Sequence, residues 1–364
     1  MRLPWRKNAY AILGNPAVAD RNVQFFSKLD RVDRADPVEV AKKYAKEMYG
    51  RRGNVPLLKE RERNRSRFHI GLNVLPADFS EVTKKSFLVS DVLMLTQDQE
   101  GPEVPLGALE TSIFGGGDAL QEPQATYYST PYGFQCYDPA GLGRWLLDTE
   151  PLLKAGLAWY LPQFVQSDTA VSGYLAPDHP LKTTPIDYDF LIRDGRAIEA
   201  SGAEPIASHV TRILFKMKIP YIEGVSLGDF STLTVNEFNS HTAFKAWLRQ
   251  RLLELDDALE DTQSQRRIAA IEEEIRNGVA QVESQMANAA KTKSVATTGA
   301  VTCTTTVALL AIQQPSMLAV VTALGIAPAG LWNFLKTHSE EGKPKARESD
   351  WFYLWALMKD SERC

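Results

Sequence analysis

Residues 294–335 form a run of forty-two without a single Asp, Glu, Lys or Arg, and a folded chain has few ways to accommodate such a run. The break Gln313-Gln314-Pro315-Ser316 divides it into two arms, 295–312 and 317–335. A bilayer core of ~30 Å takes roughly 17–25 helical residues, so each arm is long enough to cross one. The alternative is burial, with both arms packed as helices into a protein core.

The flanks favour lipid. Lys291 and Lys293 precede the first arm, Lys336, Lys343, Lys345 and Arg347 follow the second, and the tip between them is neutral. A hairpin with both ends in the cytoplasm carries its basic residues in that pattern. Ala296, Gly299 and Cys303, with Ala319, Ala323 and Ala327, are small enough to let two helices approach closely. The content of the arms favours burial. Thr297, Thr298, Thr302, Thr304, Thr305 and Thr306 contribute little to insertion, and the large aliphatics Leu309, Leu310 and Ile312 crowd one end. Pro328 interrupts the second arm. A third expectation reconciles the two: a segment of borderline hydrophobicity, sheltered at rest and inserted on a trigger.

The rest of the chain narrows the classes. With 364 residues, 44% hydrophobic and 24% charged, it has ordinary globular composition and enough length for two domains or for one large core with a helical appendage. A net charge of −4 speaks against nucleic acid as a partner, because no basic excess is left to hold a phosphate backbone. The basic cluster within 51–67 is interleaved with Glu60 and Glu62 and reads as a solvated helix face. Cys136, Cys303 and Cys364 are isolated and odd in number, which fits a reducing compartment and excludes a cysteine-based zinc site. Met1 to Lys7 lack the apolar run of a signal peptide, so a cytoplasmic protein, membrane-associated through its late arms, is the expectation.

Periodicity divides the chain in two. Turn signals at Gly14-Asn15-Pro16 predict irregular structure through residue 35. Helical spacing follows over 37–48, where Val38, Ala41, Tyr44 and Ala45 form a stripe behind the N-cap Asp36. Strands are predicted over 68–74, 86–96, 125–137 and 157–164, with short helices over 76–85 and 142–155. Pro131 demotes its strand to an edge or to two pieces. Asp194-Gly195 predicts a hairpin between 187–192 and 197–199. A helix over 206–217 and a strand over 219–222 precede a region that reads as helical throughout. There Phe244, Leu248, Leu252, Leu255 and Leu259 make one stripe, and Ile268, Ile271, Ile275, Val279, Val282 and Met286 make a narrow, nearly heptad seam. The seam packs on the body or pairs with a second chain through Ile268, Ile275, Val282 and Met286. The aromatic segment from Trp351 to Met358 docks on the body or serves as an interfacial anchor.

Signals for chemistry are sparse. Phe114-Gly115-Gly116-Gly117-Asp118 lacks the lysine and the helix start that a phosphate cradle needs. His69, His179, His209, His241 and His338 show no metal-ligand spacing, and neither a metal nor another cofactor is expected. The best catalytic candidates are Asp187 and Asp189, which a strand would place on one face, where paired carboxylates hold a cation or share a proton. The expected fold is therefore α+β: a mixed α/β body over 1–234, an amphipathic helical hairpin or coiled coil over 235–293, the apolar helical hairpin over 294–335, and a basic, aromatic end over 336–364. Three functions stay open: a non-enzymatic partner-binding protein whose helical module oligomerises or touches membrane, a scaffold with the arms as core, and a hydrolase-type enzyme using the acidic pair.

Overall fold

Asn15 and Pro16, a turn signal in the sequence, start a helix. The Asn15 side chain accepts the Val18 N–H at 3.1 Å and proline takes the first helical turn, so α1 (Pro16–Lys28) opens on a satisfied N-terminus. A computed structural model describes residues 11–49, 69–74, 79–96, 103–105, 127–170, 182–183, 188–193, 196–199, 204–255, 262–296 and 349–361. The stretch expected to be irregular thus holds α1 and α2 (Arg31–Ala35), the latter closed by a reciprocal Asp30–Asp33 capping box. An N-cap and a turn use the same residues; the buried Val18, Phe25 and Phe26 that follow are what mark a helix. As its spacing predicts, α3 (Pro37–Tyr49) forms, and Asp36 accepts the N–H groups of Val38 and Glu39.

The central sheet is built on β1 (Ile70–Val74) and β2 (Leu93–Thr96), parallel strands joined through α4 (Phe79–Phe87). The 86–96 run was expected as one strand, yet only its last four residues extend. Ser86 and Phe87 end α4, and Leu88 and Val89 turn in the core with no exposed surface, so the apolar run records burial rather than strand conformation. Next come β3 (Glu103–Pro105), β4 (Tyr127–Gln135), the helices α5 (Pro139–Asp148) and α6 (Glu150–Lys154), β5 (Ala158–Tyr160), β6 (Gln163–Ala170) and β7 (Lys182–Thr183). The expected hairpin follows as β8 (Phe190–Arg193) and β9 (Arg196–Glu199), paired antiparallel. Strand order is β5-β2-β1-β8-β9 in the first sheet, parallel except for β9, and β3-β4-β6-β7 in an antiparallel second sheet. Pro131 does not end β4. The register with β6 slips between Pro131 and Gly133, while β3 pairs only with residues 133–135, so the proline stands where β3 asks for no N–H.

Helices complete the fold: α7 (Pro205–Lys216), α8 (Leu227–Asn236), α9 (Phe238–Leu253), α10 (Thr262–Ala296) and α11 (Phe352–Ser361). The strand expected over 219–222 is a turn instead. Ile219, Ile222 and Val225 are buried in it, Tyr221 takes a positive φ of 70°, and the Lys84 ammonium of α4 donates to the Ile222 and Val225 carbonyls. One hydrophobic cluster includes Val18, the strands of the parallel sheet, Phe244, Ile275 and Leu357. The architecture is mixed α+β, a small parallel sheet among helices. Among the described residues, no helix is long and apolar enough to cross a membrane.

Candidate functional site

Register places His69 and Gly71 on one face of the sheet with Met94, Trp159 and Asp189, and Leu72, Leu93, Leu95 and Tyr160 on the other. Asp189 is buried at 2% exposure, just before β8. Its Oδ2 accepts the Gly71 N–H at 3.3 Å, and its own N–H donates to the Gly71 carbonyl at 3.1 Å. The carboxylate therefore joins β1 to β8 at the amino ends of parallel strands. Ligands of open α/β sheets bind at the opposite, carboxyl ends. The other member of the acidic pair, Asp187, lies outside the described residues, as do His179, His338, the glycine loop 114–118 and the basic cluster over 51–67. Among the described residues, no three His, Cys, Asp or Glu side chains gather closely enough to hold a metal ion. His69 stacks on Trp159 with ring centroids 6.2 Å apart, and His209 Nε2 lies 3.2 Å from the Leu252 carbonyl oxygen.

A denser set of interactions holds the C-terminal helices to the body. On α9, His241, Lys245 and Arg249 follow one another at four-residue spacing and share a face. His241 Nε2 lies 2.9 Å from the Phe87 carbonyl oxygen, Lys245 Nζ donates to that of Ser90 at 3.3 Å, and Arg249 Nε donates to that of Val89 at 2.6 Å. These carbonyls belong to the end of α4 and its following turn, where orphan acceptors and the negative end of the helix dipole favour cations. Asp91 Oδ1 accepts from Lys245 at 2.9 Å and Arg249 at 2.8 Å. Burial works to raise the Asp91 carboxyl, but the two cations outweigh it and its pKa ends below the ordinary value. Burial lowers the Lys245 ammonium against the pull of the same carboxylate.

Above this clamp sits α11. Tyr353, fully buried, places its hydroxyl 2.7 Å from Thr234 Oγ1 on α8. The Thr234 hydroxyl already donates to the Phe230 carbonyl, so Tyr353 is the donor to Thr234. The Tyr353 ring meets His241 edge-on at 5.0 Å, and Trp351 lies 4.3 Å from Trp247 and 6.2 Å from Phe244. On α10 the indole of Trp351 occupies the place of a side chain at Gly278, where an added Cβ would come within 2.2 Å of it. Lys359 closes the far end on Glu283 at 2.8 Å. Along the seam of α10, Ile271, Ile275, Val279 and Val282 are buried and Ile268 and Met286 half-buried within the single chain.

The four-residue spacing of His241, Lys245 and Arg249 is legible in the sequence, but their target at the end of α4, some 150 residues away, is not. Gly278 in mid-helix is a signal that the sequence analysis passes over, since a glycine there costs about 1 kcal/mol relative to alanine unless a close contact requires it. Comparison of the chain with protein-family models, with curated proteins and with solved structures finds no match.

Proposed function

We propose that the protein is a non-enzymatic binding protein that carries residues 294–335 as a membrane-contacting hairpin, with the α/β body and the helices around Trp351 as its anchor. The observation that carries this reading is the seat of Trp351 on Gly278. The backbone of α10 continues to Ala296, inside the charge-free run, and the chain returns at Trp351 to a point eighteen residues back on the same helix. At ~1.5 Å per residue, that return covers about 27 Å. Residues 336–348 alone reach about 43 Å when extended at ~3.3 Å per residue. The charge-free run is therefore not needed to close the connection and is free to leave and rejoin the body at one end of α10. Its basic flanks and neutral tip suit a hairpin with both ends on one side of a bilayer. Self-association, in this reading, uses the seam ends Ile268 and Met286 rather than the buried Ile275 and Val282.

Flotation with phosphatidylglycerol-containing liposomes, together with release of an entrapped dye, tests the reading. The full chain is expected to float and to release dye, and the chain lacking 294–335 to remain unbound while keeping its circular dichroism. If the full chain neither binds nor permeabilises liposomes between pH 7.5 and 5, the reading fails.

A further inference from the structure

We propose that the contact between His241 and Tyr353 is an acid-sensitive latch, through which a fall in pH detaches α11 from α9 while the α/β body stays folded. The latch stands on its geometry. His241 is 1% exposed at a junction of three elements: its own α9, the end of α4 and the ring of Tyr353 on α11. Because a carbonyl only accepts, Nε2 carries the proton that meets the Phe87 oxygen. Nδ1 is buried and has no hydrogen-bond partner among the described residues. A proton added there would place a charge beside the Tyr353 ring at a site closed to water. The charged groups that act on the imidazole are Lys245 and Arg249 from α9, which oppose a second positive charge, and Asp91 from the turn after α4, which favours one. From α11 the facing group is the Tyr353 phenol, which stays neutral because burial raises its pKa.

Burial, reinforced by the two cations, pushes the closed imidazole down to about 3. With α11 removed, water reaches the ring and its affinity for a proton rises toward the ordinary value of about 6.5, stopping short of it because Lys245 and Arg249 stay on the same helix. The closed state then binds fewer protons than the open one between those two values. Closure is strongest above about pH 6.5, and the open fraction grows about tenfold for each unit of pH below it.

Hydrogen exchange of the full chain, read by mass spectrometry as protection factors corrected for intrinsic rates, tests the latch without any lipid, so its outcome is separate from that of the membrane reading. Between pH 6.5 and 5, protection in α11 is expected to fall about tenfold per unit while that in α5 holds, and in His241→Gln the α11 protection is expected to stay flat. Equal slopes in the two proteins, a parallel loss in α5 and α11, or a wild-type α11 protection independent of pH would each overturn it. Should His241→Gln not fold, nitrogen-15 chemical shifts of His241 in the wild-type chain decide. The closed form at pH 5 is expected to show a neutral imidazole with the proton on Nε2, and an imidazolium in the closed form refutes the latch.

Discussion

Tyr44 shows how much one hydroxyl can hold. The strand β5 is the edge of the parallel sheet, so the N–H and C=O of Tyr160 point away from β2. The Tyr44 hydroxyl answers both: it donates to the Tyr160 carbonyl at 3.1 Å and accepts the Tyr160 N–H at 3.2 Å. Both residues are fully buried, so water does not replace the phenol. Tyr44→Phe leaves two backbone groups unpaired, and urea unfolding is expected to show a loss of about 2–4 kcal/mol. A loss under about 0.5 kcal/mol would mean that the strand edge is satisfied some other way. Gly278 makes the opposite point, that an absent side chain can be a contact. Alanine gains about 1 kcal/mol of helix propensity, yet its Cβ meets the Trp351 indole, and overpacking costs about 1–3 kcal/mol. Gly278→Ala is expected to destabilise the wild-type chain by up to about 2 kcal/mol, and to stabilise one that already carries Trp351→Ala. The same sign in both backgrounds would show that the indole does not occupy that space.

At the scale of elements, the clamp between α9 and α4 is held by charge as well as shape. Asp91 pairs with both Lys245 and Arg249, whose side chains are 8% and 16% exposed. Asp91→Asn leaves two partly buried cations without that counterion, and loss of one partner from a buried pair costs about 3–5 kcal/mol; since Asp91 itself is 42% exposed, about 2–3 kcal/mol is the expected loss in urea unfolding. The carboxyl titrates below its ordinary value in the folded protein, so its contribution is complete above about pH 4 and disappears as the pH falls further. The variant and the wild type should therefore converge in stability as the pH falls through the lowered value of the folded carboxyl. A stability gap that does not narrow on acidification would detach the clamp from the Asp91 charge. How far such elements are legible in sequence depends on how local their cause is. The cap at Asp36 and the stripe behind it give α3 directly, and Asp194-Gly195 gives the pairing of β8 with β9. The end of α4 is not legible, because an apolar run buried on every side reads alike as helix, turn or strand. The sequence reads Asp189 as one of a carboxylate pair within a strand; it lies instead just before β8, and its bond to Gly71 depends on pairing between segments 118 residues apart.

For the whole molecule, the decisive question is whether residues 297–335 belong to the structure that α10 and α11 close. Between Ala296, where α10 ends, and Ser349, which leads into α11, lie residues 297–348, fifty-two in all, of which 336–348 are thirteen. Joining Ala296 directly to Lys336 shortens the connection about fourfold, which relieves about 1.2 kcal/mol of loop-closure entropy at ~0.6 kcal/mol per halving. The remaining thirteen residues, with a reach of about 43 Å, still cover the ~27 Å back to Gly278. If the charge-free run is tethered cargo, its deletion removes nothing that the fold needs, and the melting temperature is expected to stay level or to rise by about 2 °C. If the run is core, the same deletion uncovers the apolar surface that it had packed against. The loss then scales as about 25 cal/mol per Å² of surface returned to water, and the protein should melt many degrees lower or aggregate on expression. Circular dichroism melts of the two chains in detergent-free buffer distinguish these outcomes. A fall of about 10 °C or more would remove the anchor-and-hairpin reading and make the run an ordinary part of the interior.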